Sequence, residues 1–110
     1  MDPRSVTAGH LTRLEFEAEH DGFAQLRVGI PMFAQDPSLR LGKELYPTIA
    51  SICGSLSATT VEHTIRTAIE NAWRQGNREI WNEFFPGCEK CPSNKKFIAR
   101  MAQLIASVTK

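Results

Sequence analysis

A chain of 110 residues that is 42% hydrophobic is long enough to bury one core, and needs no disulfide or metal to hold it. Its net charge of +1 excludes the strong basicity that marks many nucleic-acid binders, and no apolar run approaches the length of a bilayer span. Three cysteines, an odd number, with no apolar leader point to a soluble protein of the reducing cytoplasm.

The charge is unevenly placed. Residues 1–54 carry five Lys/Arg against seven Asp/Glu, and residues 55–110 carry eight against five, so the positive end is the C-terminal half. Near the N-terminus, Leu14, Phe16 and Ala18 alternate with Glu15, Glu17 and Glu19, a strand signal, yet no other stretch offers such a strand a partner. Asp21 is placed to cap a helix whose apolar residues Phe23, Leu26, Ile30 and Phe33 recur at spacings of three and four. Pro31 interrupts that helix at a cost of roughly 3 kcal/mol, which predicts a kink near Val28 or an early stop. Asp36-Pro37-Ser38 then reads as a turn, and Leu39, Leu41 and Leu45 lead into the stretch that organises the chain.

That stretch, Lys43 to Asn77, reads as a short helix, a tight turn and a long amphipathic helix, the arrangement of a helix-turn-helix DNA reader over about residues 45–76. The first helix opens at Leu45-Tyr46-Pro47, where proline's missing N–H is harmless, and Gly54 closes it. Ser55-Leu56-Ser57 supplies a turn around one apolar plug. The second helix is expected to begin at Thr59, with Thr59 and Glu62 as a reciprocal capping box. Val61, Ile65, Ala68, Ile69, Ala72 and Trp73 form its buried stripe. His63, Arg66, Thr67, Glu70 and Arg74 recur on the opposite face, where a groove of DNA would meet them.

After Gly76-Asn77 a short helix from Arg78 to Phe85 carries Ile80, Trp81, Phe84 and Phe85, and Pro86-Gly87 breaks it. Cys88 and Cys91 make a C-x-x-C, half of a zinc site; with no second half in sequence, a pair of oxidisable loop thiols is the expected state and no metal is expected. A last helix starts at Ser93 and runs to about Val108, with Phe97, Ile98, Met101, Leu104, Ile105 and Val108 inward. No nucleophile, base and orienting group occur together at a recognisable spacing, so neither catalysis nor a cofactor is expected.

ELYPTIA and VEHTIRTAIENAWRQGN resemble the C-terminal effector domain of the stage 0 sporulation protein A family, sporulation response regulators whose pattern is close to LYPxIA, VERAIRHAIExAW and GN. Gly22-Phe23, Leu26-Arg27 and Ile30 upstream, with Phe84-Phe85, Pro92-Ser93-Asn94 and Phe97-Ile98-Ala99 downstream, extend the resemblance over nearly the whole chain. It implies an all-α, six-helix domain containing a helix-turn-helix. It also implies that the segment around Leu14 ends a first helix, over about Ser5 to Leu14, with Glu15 where the family has glycine.

The resemblance further implies transcription regulation through double-stranded DNA, a TGTCGAA-type operator box, a dimer on DNA, and contact with the RNA polymerase sigma subunit through the helix after Gly76-Asn77. On the expected reading helix, Glu62 matches the family's glutamate and has two readings, acceptor of a cytosine amino group or capping-box partner. Arg66 keeps the family's arginine, whose fork engages a guanine edge or a phosphate. Thr60, His63 and Thr67 replace an arginine, an arginine and a histidine, and each lost bidentate pair forgoes roughly 1–3 kcal/mol of base discrimination. Lys95 and Lys96, in place of serine and glutamate, are placed to grip phosphate at the start of the last helix. Thr59, Glu70 and Arg74 complete the expected DNA face.

The family's phosphoacceptor receiver domain has no room in these 110 residues, so the chain is expected to be either an excised effector half or a stand-alone, receiver-less relative, and the opening Met1 without a linker favours the second. A second reading, a protein-interaction module that kept the fold and lost operator reading, is favoured by the near-neutral charge and the two absent arginines.

Overall fold

The computed structural model describes residues 2–109, the side chain of residue 109 excepted, and six helices form among them. They are α1 Pro3–Arg13, α2 Asp21–Gln35, α3 Tyr46–Cys53, α4 Ala58–Gln75, α5 Arg78–Phe84 and α6 Asn94–Thr109. No strand occurs among the described residues. Among the described residues no helix is long and apolar enough to cross a membrane.

Helix α2 lies at the centre, packed against α1, α3, α4 and α6. That placement explains Pro31. The helix does not stop early but continues to Gln35, because Leu26 and Ile30 before the proline and Phe33 beyond it are all buried. Core packing on both sides outweighs the single hydrogen bond that the proline removes. The cap of α2 is also one residue earlier than expected. His20, in extended backbone, accepts the Gly22 N–H through Nδ1 at 2.9 Å, and Asp21 is already the first helical residue.

Ahead of it, α1 starts two residues sooner than expected, capped by Asp2 with Pro3 in its first turn. Leu14 and Phe16 are buried and Ala18 is exposed, so the first two steps of the alternation do point inward, along a turn rather than a strand. Glu15 holds the left-handed conformation there, with φ of 67°. An L residue pays about 1–2 kcal/mol for that conformation, and glycine returns part of the saving as unfolded-state entropy. Glu15→Gly is therefore expected to raise stability by about 0.5–1 kcal/mol in urea unfolding, and an unchanged midpoint would mean that the Glu15 backbone is unstrained.

A π-helical turn, Leu41–Leu45, feeds directly into α3, with the Leu45 N–H bonded to the Arg40 carbonyl at 3.0 Å. Gly54 ends α3 as expected. Its φ of 73° lets the Ser55 N–H turn back to the Ala50 carbonyl at 2.8 Å. Leu56 is not a plug: it is 95% exposed at the tip of the turn. Val108, assigned to the inner stripe of α6, is 55% exposed, because the helix runs past the core after Ile105.

The core gathers Phe16, Trp81, Phe85 and Phe97 into one aromatic cluster, with ring centres 5.3 to 6.3 Å apart. Trp81 is thus core rather than contact surface. Trp73, placed on the buried stripe of α4, is only half-buried; its outer ring face is covered by the Arg78 guanidinium, 3.8 Å from the ring centre.

Candidate nucleic-acid interface

Helix α4 is capped by Ser57, not by Thr59. Ser57 is extended, with φ −161° and ψ 166°, and its Oγ accepts the Thr60 N–H at 3.1 Å and pairs with the Thr60 hydroxyl at 3.0 Å. Thr59 is already helical, so the expected capping box is absent, and among its two readings Glu62 is released from the capping one. The five inner residues from Val61 to Ala72 are buried as the spacing requires, leaving Thr59, Thr60, Glu62, His63, Glu70 and Arg74 exposed and Thr67 partly so.

Beside this face lies an open groove of about 590 Å³. One wall is α4, through Thr59, Glu62 and His63; the other is the start of α6, through Ser93, Asn94 and Lys95. The π turn at Leu41 and Gly42 closes one end. Asn94 ties the two walls together: its Nδ2 donates to the Glu62 carbonyl at 3.0 Å and to the hydroxyl of buried Tyr46 at 3.2 Å. Burial raises the Tyr46 phenol above its ordinary value, against the Asn94 hydrogen bond, so the hydroxyl stays protonated at neutral pH.

Arg66 lies on the expected face of α4 and lines the groove, but its fork is not free. Its guanidinium is turned along the helix toward the loop before α6, where Nη1 donates to the Pro92 carbonyl and Nη2 to Cys91 Sγ, both at 2.9 Å. Glu70 Oε2 lies 3.3 Å from Nε, close enough for an ion pair without an aligned hydrogen bond. The side chain is 29% exposed. Its fork is occupied by the protein itself, which makes Arg66 a strut holding the start of α6 against α4.

Further along, Arg74 is held by the Asn71 side chain. His63 and Thr67 face the loop before α2, across a shallow cleft that also contains Glu19 and Asp21, so this flank of α4 is acidic. Lys95 and Lys96 are both exposed in the first turn of α6, where Ser93 Oγ accepts the Lys96 N–H. Among the described residues no group of three or more His, Cys, Asp or Glu is placed to hold a metal. Tyr46, Asn94 and the Pro92 carbonyl were not among the expected site residues; the signal for them was their place in the ELYPTIA and Pro92-Ser93-Asn94 segments that carry the resemblance.

A family model described as Sporulation initiation factor Spo0A C terminal matches residues 7–105. The chain belongs to that family. The match spans α1 to α6, so the Spo0A C-terminal fold accounts for the whole bundle and not the helix-turn-helix alone. The family is one of DNA-binding effector domains in sporulation transcription control, not of enzymes.

Proposed function

We propose that this chain is a sequence-specific DNA-binding transcription regulator that lays α4 in the major groove of a duplex. The observation that carries the reading is the groove itself. It sets the exposed N-terminal half of α4 beside the first turn of α6, so one side can face base edges while the other meets the backbone. Thr59, Glu62 and His63 are the base-facing set, with Glu62 as acceptor of a cytosine amino group. Lys95 and Lys96, exposed in the first turn of α6, hold phosphate. Thr60 and Arg66 position rather than read, Thr60 within the Ser57 cap and Arg66 through the loop before α6. Thr67, Glu70 and Arg74 lie farther along the face and meet the flanking backbone or nothing.

In this reading the 110 residues are one effector-type domain, working in the cytoplasm as a dimer on DNA. The exposed residues of α5, Glu79 and Asn82 among them, face the polymerase sigma subunit. A second reading, the protein-interaction module, is favoured by two apolar side chains at the helix-turn-helix turn, Ile52 at 54% and Leu56 at 95% exposure.

Fluorescence anisotropy of the reduced protein decides between them, using a duplex with a TGTCGAA-type box and a scrambled duplex over a range of salt. The first reading expects preference for the box, weakened by Glu62→Gln. Replacing Lys95 and Lys96 together by alanine should weaken binding to both duplexes alike and reduce the slope of log affinity against log salt by about two, one for each phosphate contact. Absence of binding to either duplex at low salt would sink the reading and leave the module.

A further inference from the structure

The loop between α5 and α6 contains the two partly exposed thiols Cys88 and Cys91, which line one open cleft together with Lys96. Neither is idle. Cys88 Sγ donates to the Lys90 carbonyl at 2.8 Å, and Cys91 Sγ accepts from Arg66 Nη2 at 2.9 Å. Arg66 belongs to the face of α4 that borders the groove, so the sulfur chemistry of the loop is one contact away from the reading helix.

We infer that Cys88 and Cys91 form a two-thiol oxidation site, with Arg66 coupling its state to the groove. A small disulfide is the oxidant. Cys88 loses its proton to solvent and attacks one sulfur of the oxidant, whose S–S bond breaks and releases one thiol. Cys91 then loses its proton and attacks Cys88 Sγ, releasing the second thiol, so two electrons and two protons have passed to the oxidant. Cys88 attacks first because burial holds the Cys91 thiol above its ordinary value, against the lowering effect of Arg66.

A disulfide needs the two Cβ atoms about 3.5–4.5 Å apart with each sulfur aimed at the other. Cys88 Sγ, without its proton, no longer donates to the Lys90 carbonyl, and on this inference Cys91 Sγ swings toward Cys88 and off Arg66. The guanidinium then loses one of its two loop partners, and the strut between α4 and the start of α6 slackens. The reduced form ties the two walls of the groove together through Arg66; the oxidised form ties them less firmly. Only this last step rests on the DNA-binding reading.

The test uses the full chain carrying Cys53→Ser, which removes the exposed third thiol and with it pairing between copies through Cys53. The protein is equilibrated in mixtures of reduced and oxidised glutathione, and the fraction of intramolecular disulfide is read by alkylation and mass spectrometry. Arg66→Met, which removes the contact that favours the reduced state, should raise the equilibrium constant for disulfide formation about tenfold. Arg66→Lys, which keeps the charge and loses the fork, should raise it less, and serves if the methionine variant does not fold.

Failure to form the Cys88–Cys91 disulfide, or an equilibrium constant that Arg66→Met and Arg66→Lys both leave unchanged, would overturn the inference. Duplex binding is the second readout: the oxidised form should bind about tenfold more weakly than the reduced form. Cys88→Ser treated with the same oxidant should keep the reduced affinity. Equal affinity in the two states would overturn the coupling to the groove. If the reduced protein binds no duplex, the DNA reading fails, and the thiol equilibrium still decides whether the site exists.

Discussion

Phe97→Ala should lower the unfolding free energy by about 3–5 kcal/mol, a large part of what a domain of this size commonly possesses. Phe97 has no exposed surface, and its ring meets Phe16 at 5.3 Å, Phe85 at 5.4 Å and Trp81 at 5.9 Å between centres. Those three rings come from the turn after α1, the end of α5 and the middle of α5, so one side chain joins two segments to the start of α6. None of the neighbours can collapse into the space without leaving another ring, so the cavity term adds to the lost transfer energy. In urea the midpoint should fall with the slope unchanged. A loss below about 1 kcal/mol would show that the cluster closes over the gap. Because Phe97 directly follows Lys95 and Lys96, a folded fraction of the variant should also bind duplex more weakly.

Gly22→Ala is expected to cost about 1–3 kcal/mol, although alanine is the better helix former. A Cβ at residue 22 would stand 2.5 Å from Ala68 Cβ and 3.1 Å from the Thr64 carbonyl oxygen, where neither atom belongs to a flexible side chain. The only relief is for α2 and α4 to separate, which shifts the reading helix as a body. Stability and duplex affinity should therefore fall together, the first read by urea unfolding and the second by anisotropy. Gly9→Ala is the control: nothing lies within 4 Å of its added Cβ, and the change should stabilise by about 0.5–1 kcal/mol. A stabilising Gly22→Ala would show that the two helices are not in contact there.

These two residues also show how far the chain could be read before its structure. Gly22 and Phe97 both belong to the segments that carried the family resemblance, and the structure supplies the reasons, a close helix crossing and an aromatic junction. The long amphipathic helix was legible because apolar residues at spacings of three and four can share only one face, and those from Val61 to Ala72 are buried. The end of α3 was legible because Gly54 takes a conformation that other residues avoid.

What misled was choice among local equivalents. Ser57 and Thr59 satisfy the same capping rule, whereas His20, outside that rule, caps ahead of Asp21 through its ring nitrogen; in both helices the residue that caps is the one whose backbone is extended. Pro31 reads as a break in any helix considered alone, and only burial on both of its sides keeps α2 intact. The site divides the same way. Periodicity determined which residues of α4 face away from the core, and with them Thr59, Glu62 and His63 on the groove. It could not determine what lies over that face. Arg66 is pinned by Cys91 and Pro92, 25 and 26 residues away, because the loop before α6 folds back across α4. Helical spacing sets the direction in which a side chain leaves its helix, whereas its partners are set by segments that arrive from elsewhere in the chain, and those only the tertiary structure decides.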